Sequence, residues 1–143
     1  MNIVIAMDTR EKMMHVKDYC EDQGIPVVRK KLDYGDYGII VDGELQSFTV
    51  ERKNSLNELA GNFAYRSRER FKREFERSSG NMTVVCEGTF DGIAEHRYFH
   101  PLPPRIYLAQ IKQYTKAYNV DFHFIPSDSA EFIVGLLKAQ VAA

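Results

Sequence analysis

The chain has 143 residues, which is enough for one hydrophobic core and too few for two independent ones. Hydrophobic residues make up 44% of it and charged residues 27%, an ordinary globular composition that excludes a wholly disordered or fibrous protein. The net charge is −1, so contact with an anionic partner would have to depend on local basic clusters.

Targeting and redox signals are absent from the sequence. No run approaches eighteen consecutive apolar residues, and the N-terminus lacks the basic-then-apolar pattern of a signal peptide. We therefore expect a soluble intracellular protein without membrane contact, in the cytoplasm or nucleoid of a bacterium or in a virus-infected host. Cys20 and Cys86 lie in apolar segments without CxxC spacing, which predicts reduced core thiols.

The first third of the chain has a strand, helix and strand pattern. Residues 2–7, NIVIAM, form a continuous apolar run that is typical of a buried strand. Residues 11–23 have apolar positions at helical spacing and are followed by Gly24, a natural helix end. Residues 25–32 predict a second strand.

A hairpin is predicted next. Asp42-Gly43 separates the β-patterned runs 39–41 and 45–53, and both turn positions tolerate positive φ. We therefore expect two antiparallel strands joined by a tight turn.

A long helix is predicted after the hairpin. Ser55 and Glu58 have capping-box spacing, and apolar residues recur at helical intervals over residues 56–77, with an interruption allowed. The Ser78-Ser79-Gly80 break ends this helix, and residues 82–87 predict another buried strand.

The last third predicts a surface loop, a helix, a strand and a closing helix. The loop covers residues 88–104, and Ser127 or Asp128 is the predicted cap of the closing helix. The whole order predicts an α/β sandwich around a mixed sheet, with central strands parallel and the hairpin as the antiparallel part. The remaining predicted elements are a helix over 105–118, a strand over 120–125 and a helix over 127–140.

Charged residues end the second hairpin strand. Alternation along a strand puts Glu51 and Lys53 on one face, and the hairpin can bring Asp36 close to Glu51. Two carboxylates suit Mg²⁺ or Mn²⁺, which activates water, and an ammonium group can offset charge on a phosphate. This pattern predicts phosphodiester hydrolysis, although a solvated strand end would show the same triplet.

Several motifs together resemble one family. GDY at residues 35–37 followed by VERK at residues 50–53 resembles the G-D-Xn-E-R-K-x-x-x-D signature of the XPF-type structure-specific endonucleases. DTRE at residues 8–11 and TVVCEG at residues 83–88 are similar to further segments of that family, in the same order. The resemblance covers essentially the whole chain.

The resemblance implies a fold, a metal and a set of site residues. The fold would be a restriction-endonuclease-like three-layer α/β sandwich with a central mixed sheet flanked by helices. Asp36, Glu51 and Asp8 would hold Mg²⁺ or Mn²⁺, and Lys53 would be the catalytic lysine. Arg52 is the motif arginine, and alternation leaves a buried structural ion pair as the other interpretation. The implied catalytic set is Asp8, Glu11, Asp36, Glu51, Arg52 and Lys53.

The chain departs from the family pattern in two respects. Asn57 stands where the motif ends in aspartate, and an amide brings no charge. The chain also lacks room for the tandem helix-hairpin-helix elements that members usually append, so we expect residues 1–143 to form a single nuclease domain. Substrate selection would then depend on this domain, on dimerisation or on a partner.

A basic segment covers residues 65–77. It predicts a helix that contacts DNA phosphates, with Tyr65 as a stacking surface, and the alternative is a solvated helix with internal pairs such as Glu69 to Arg73. The predicted DNA-binding residues are Arg66, Arg68, Arg70, Lys72 and Arg73.

These observations predict a metal-dependent endonuclease that cuts branched, flap or junction DNA and uses no nucleotide cofactor. We expect a homodimer or heterodimer, because the family pairs its domains through late elements; Phe132, Ile133, Leu136 and Leu137 could form that interface or simply cover the sheet. The alternatives are a DNA-binding subunit with weakened catalysis that supports a partner, and a Holliday-junction resolvase.

Overall fold

Strands and helices alternate along the residues that the computed structural model describes, which are 1–64 and 66–142. The strands are β1 (Ile3–Met7), β2 (Val27–Arg29), β3 (Tyr37–Val41), β4 (Glu44–Lys53), β5 (Met82–Glu87) and β6 (Phe122–Ile125). The helices are α1 (His15–Asp22), α2 (Leu56–Phe63), α3 (Arg68–Ser78), α4 (Phe90–Ala94), α5 (Pro104–Tyr118) and α6 (Ala130–Ala142).

The strands form one mixed sheet in the order β2-β1-β3-β4-β5-β6. The predicted hairpin between β3 and β4 is confirmed, with φ of +49° at Asp42 and +84° at Gly43. The prediction that the central strands run parallel is confirmed for β4 and β5 but was wrong for β1 and β3. β3 lies between β1 and β4 and is antiparallel to both, because the chain crosses from β2 to the other side of β1 before the hairpin begins. The parallel pairs are β1 with β2, β4 with β5, and β5 with β6.

Helices cover both faces of the sheet, so the predicted three-layer α/β sandwich is confirmed. Helices α1 and α6 pack on one face, where Val50 and Val85 point, and α2, α3 and α5 pack on the other face, where Val84 and Cys86 point. The second core is aromatic: the Phe63 ring lies 5.6 Å from Phe71 in an edge-to-face arrangement.

The predicted long helix is two helices. Ala64 adopts an extended conformation with ψ 160°, which ends α2 and lets α3 start in a new direction. Ser55 caps α2, because the Glu58 N–H donates to Ser55 Oγ. Glu58 Oε1 accepts from the Asn54 N–H, one residue before the N-cap, so the reciprocal bond of the capping box is shifted by one position. Two shorter helices can turn both Phe63 and Phe71 into the same core, which one straight helix does less well.

Several predicted bounds were also wrong. The segment 88–104 contains α4, because the Thr89 side chain accepts from the Gly92 N–H and caps a helical turn. α1 begins at His15 and not at residue 11. The N–H groups of Lys12 and Met13 donate to Glu11 Oε1, so this segment forms a turn before the helix. α6 begins at Ala130, whose N–H donates to Asp128 Oδ1.

Cys20 and Cys86 are buried free thiols, as predicted. Across the described residues, no helix combines the length and apolar character needed to cross a membrane.

Candidate active site

Strand β4 ends in two charged side chains on the face covered by α2, α3 and α5. Lys53 Nζ lies 2.8 Å from Glu51 Oε2, and the two side chains are only 8% and 9% exposed. Lys53 Nζ also lies 5.1 Å from the centroid of the Phe71 ring, within the range of a cation–π contact. The ammonium group is therefore held in one place by a carboxylate and an aromatic face.

Asp36 lies immediately before β3, in a turn that depends on Gly35. Gly35 has φ +79°, and a Cβ at this position would lie 2.4 Å from Thr49 Oγ1. The Asp36 N–H donates to the Val50 carbonyl, and the Asp36 carbonyl accepts from the Asp8 N–H. These backbone bonds connect the turn to both β1 and β4, so Asp36 has little freedom to move.

The carboxyl groups of Asp36 and Glu51 have strongly raised pKa values. Burial raises the pKa of Asp36 to about 7, and the neighbouring Glu11 carboxylate contributes in the same direction. Burial and the charge of Asp36 also raise the pKa of Glu51 well above its ordinary value. Burial alone would lower the pKa of Lys53, but the contact with Glu51 together with the charges of Glu58 and Asp36 outweighs it and raises that pKa. The site therefore holds more negative charge than Lys53 can balance.

The carboxylates of Asp8 and Glu11 both accept hydrogen bonds within the chain. Asp8 Oδ1 accepts from the Leu32 N–H at 2.8 Å, and Asp8 Oδ2 accepts from the backbone N–H and Nε of Arg10. Burial raises the pKa of Asp8, but these hydrogen bonds outweigh it and lower the pKa overall. Glu11 Oε1 accepts from the N–H groups of Lys12 and Met13.

Two cavities meet at Glu51. The first, of about 250 Å³, is acidic and brings together all four predicted carboxylates with Arg10, Gly35 and Glu74. The second, of about 290 Å³, contains Glu51 and Lys53 together with basic residues of α3. The predicted acidic residues of the acidic cavity are Asp8, Glu11, Asp36 and Glu51.

Two carboxylates of the acidic cavity have the donor chemistry that a hard divalent cation prefers. Asp36 and Glu51 supply carboxylate oxygens. Burial is the main cause of the raised pKa of both groups; the Glu11 carboxylate adds to the rise at Asp36, and the charge of Asp36 adds to the rise at Glu51. A bound cation would offset these effects. Mg²⁺ typically binds one or two protein carboxylates and fills its other positions with water and substrate phosphate. In residues 1–64 and 66–142 no three His, Cys, Asp or Glu side chains form a ready metal cage.

Arg52 points to the opposite face of the sheet from Glu51. Arg52 Nη2 lies 2.7 Å from Glu87 Oε1, and the Arg52 side chain is 4% exposed. Glu87 Oε2 in turn accepts from the N–H and hydroxyl of Ser129 at the start of α6. The Arg52 side chain thus makes a buried ion pair between β4, β5 and α6, and it lines neither cavity.

The family model for the ERCC4 domain matches residues 7–136. The chain belongs to the ERCC4 domain family. Its fold is that of XPF from Aeropyrum pernix, which matches with a TM-score of 0.70 and 23% identity over 96% of this chain and 61% of that one. The same protein in complex with DNA matches with a TM-score of 0.71 and 23% identity over 97% of this chain and 65% of that one. The present chain thus spans less than two thirds of the length of each XPF chain. No curated protein matches it.

Asn57, at the motif position where the ERCC4 family signature ends in aspartate, lies outside both cavities. Asn57 is exposed on the first turn of α2, and its Oδ1 accepts from the His100 N–H. The amide therefore holds the loop that follows α4.

The five predicted DNA-binding residues do not share one surface. Arg70 lines the cavity next to Lys53, whereas Arg66 and Arg73 are exposed and line neither cavity. Lys72 lies 3.9 Å from Glu69, so the intrahelical pair involves Lys72 and not Arg73 as the sequence suggested. Arg68 is partly buried, and Tyr65 lies outside the described residues.

Sequence reasoning missed three charged residues of the ERCC4 domain's two cavities. Arg10 and Glu74 line both of them, and Arg77 lines the cavity next to Lys53. Glu74 Oε1 accepts from the Gly35 N–H at 3.0 Å, which ties α3 to the turn that carries Asp36. Helical spacing was the available signal, because Arg70, Glu74 and Arg77 follow one another at i, i+4 and i+7.

Proposed function

We propose that this ERCC4 domain is a divalent-metal-dependent DNA endonuclease that hydrolyses phosphodiester bonds in branched, flap or junction DNA. The observation that supports it best is the convergence of Asp36, Glu51 and Lys53 from two segments around adjoining cavities. XPF from Aeropyrum pernix has the same fold and has been solved in complex with DNA, which favours DNA as the ligand of this chain as well.

Asp36 and Glu51 are the residues that would hold Mg²⁺ or Mn²⁺. Such an ion supplies an activated water and offsets negative charge on the phosphate under attack. Asp8 already accepts hydrogen bonds from Arg10 and from the Leu32 N–H, so we assign it a supporting role. Glu11 contributes negative charge to the same cavity.

Lys53 would orient the attacking water or stabilise charge on the scissile phosphate. Its ammonium group is immobilised by Glu51 and by the ring of Phe71, and the raised pKa of Lys53 keeps it protonated at neutral pH. A fixed positive charge in a buried position acts on a transition state more strongly than the same charge in water.

A second candidate is a DNA-binding domain with weakened catalysis that supports an active partner. The uncharged Asn57 at the motif position is the sequence feature behind this alternative, but Asn57 lines neither cavity and its oxygen accepts from the His100 N–H, so its geometry does not support the alternative. The retained Asp36, Glu51 and Lys53 argue for the working enzyme.

The proposed domain would act as a homodimer or heterodimer. Ile133 and Leu137 are fully buried within the chain, whereas Phe132 and Leu136 are only partly covered and β6 is a sheet edge. Sedimentation velocity over a range of concentrations tests self-association, and a single monomeric species throughout would leave only a heterologous partner.

Cleavage assays on defined DNA test the proposal. End-labelled duplex, flap, fork and four-way junction substrates of equal length are incubated with Mg²⁺, with Mn²⁺ or with a chelator. If the proposal is right, the protein makes internal cuts only when a divalent metal is present, and it cuts the branched substrates in preference to the duplex. DNA binding without cleavage under every metal condition would favour the supporting subunit, and preference for the junction alone would indicate a resolvase.

A further inference from the structure

Helix α3 presents one stripe of polar side chains to the cavity beside Lys53. Ser67, Arg70, Glu74 and Arg77 recur at helical spacing and all line this cavity of about 290 Å³. Lys72 lies on the opposite face of the helix, and Arg73 lies at the edge of the stripe, one turn before Arg77; neither residue lines this cavity or the acidic one. The structure thus divides the basic segment into residues that face the site and residues that do not.

The cavity has a positive balance of charge. Its lining includes the cations Arg10, Lys53, Arg70 and Arg77 and the carboxylates Glu51 and Glu74, four against two, for a net of +2. Lys53 is paired with Glu51, and Arg10 with Asp8. Within residues 1–64 and 66–142, Arg70 and Arg77 form no ion pair, so they are the cations available to an anion.

Across residues 1–64 and 66–142, Glu74 forms no ion pair with either arginine. Glu74 Oε1 accepts from the Gly35 N–H, so the carboxylate is turned towards the Asp36 turn and the acidic cavity. Arg77 is oriented as well, since its Nε donates to the Asp33 carbonyl at 3.0 Å. A guanidinium group has five N–H donors, so the terminal groups of Arg77 remain for another acceptor.

We infer that Arg70 and Arg77 form a phosphate subsite that binds backbone phosphates of the DNA strand next to the scissile bond. This inference rests on the proposed function, because the scissile phosphate would lie at Glu51 and Lys53, which line the same cavity. The two arginines are seven residues apart, about 10 Å along the helix axis, so they can contact successive phosphates. Planar guanidinium forks match phosphate oxygens in geometry and charge.

Salt-dependent DNA binding tests the subsite. Fluorescence anisotropy with a labelled flap duplex, in chelator so that no cleavage occurs, is measured from low to moderate salt for the wild type and for Arg70→Ala, Arg77→Ala and Arg73→Ala. Arg73→Ala is the matched control, because it removes one exposed arginine from the same helix. Arg70→Lys and Arg77→Lys restore the charge without the fork, and thermal melting confirms that each variant is folded.

The subsite requires that Arg70→Ala and Arg77→Ala each lower the slope of log K against log salt by about 1 and weaken binding several-fold. Arg73→Ala should leave the slope unchanged, and the lysine variants should recover the slope more fully than the affinity. Equal slopes in all three alanine variants would overturn the subsite, even if the wild type cuts DNA. Reduced slopes at positions 70 and 77 in a protein that cuts nothing would uphold the subsite and overturn the proposed hydrolysis.

Discussion

The backbone N–H of Arg52 donates a 2.7 Å hydrogen bond to Asp36 Oδ2, while the Arg52 side chain lies on the other face of the sheet in an ion pair with Glu87. One residue thus connects the candidate metal site to a buried ion pair, and it does so through its main chain. A change in the Arg52 side chain can reach Asp36 only by moving strand β4.

The ion pair leads to a stability prediction. Arg52→Ala should lower the free energy of unfolding by about 3 kcal/mol or more, because it leaves the Glu87 carboxylate without its partner. The double variant Arg52→Met/Glu87→Gln should recover most of this loss, since Gln can still accept from Ser129. Urea unfolding measures the free energy of unfolding of the single and the double variant. Arg97→Ala is the control: it breaks an exposed 2.7 Å pair with Glu95 and should cost under about 1 kcal/mol.

The same double variant separates structure from catalysis at Arg52. If the side chain acts only through stability, the folded double variant should cut DNA within about threefold of the wild type. A folded protein that has lost cleavage would instead make Arg52 a direct participant.

Asp36→Asn should abolish metal-dependent cleavage, by at least about 100-fold, while DNA affinity stays the same or rises. The amide oxygen can still accept from the Arg52 N–H, but it no longer supplies charge to a divalent cation, and repulsion of phosphate decreases. Cleavage and anisotropy on one flap substrate measure the two quantities. Retained cleavage would mean that the metal lies elsewhere.

The raised pKa of Asp36 predicts a pH dependence of stability in the absence of metal. Between its ordinary value of 3.8 and about 7, folded Asp36 keeps a proton that the unfolded chain has released. Its contribution to the free energy of unfolding therefore falls as pH rises through this window. About three pKa units at about 1.4 kcal/mol each set an upper limit of roughly 4 kcal/mol.

Urea unfolding in chelator from pH 4.5 to 8 measures this effect as the difference between the wild type and Asp36→Asn. The variant should become relatively more stable as pH rises, and added Mg²⁺ should stabilise the wild type more than the variant. Parallel curves for the two proteins would contradict the assignment of Asp36.

Asn57→Asp should change cleavage by less than about threefold, although it restores the acidic residue of the motif. Position 57 lines neither cavity, and an aspartate oxygen can still accept from the His100 N–H. The new charge near the start of α2 should add about 0.3–1 kcal/mol to stability. Cleavage rates and thermal melting decide this, and a gain in cleavage of tenfold or more would show that position 57 contacts the reaction.

Short stretches of the sequence were enough to predict much of the fold and the central residues of the site. The Asp42-Gly43 turn, the Ser55–Glu58 cap and the alternation at the end of β4 depend on neighbouring residues, so their signals are present in short stretches of sequence. The family resemblance through GDY and VERK is local in the same sense, and the family model over residues 7–136 confirms it.

Contacts between residues distant in sequence decided the position of β3 between β1 and β4 and the inclusion of Glu74 and Arg77 in the cavities. The sequence by itself determined which chemical groups the domain has, because side-chain type and strand or helix periodicity are properties of consecutive residues. Only the tertiary structure decided which of these groups face one another, because that depends on how the layers pack. For this reason Arg70 lines the cavity that contains Lys53, whereas Arg73 on the same helix does not.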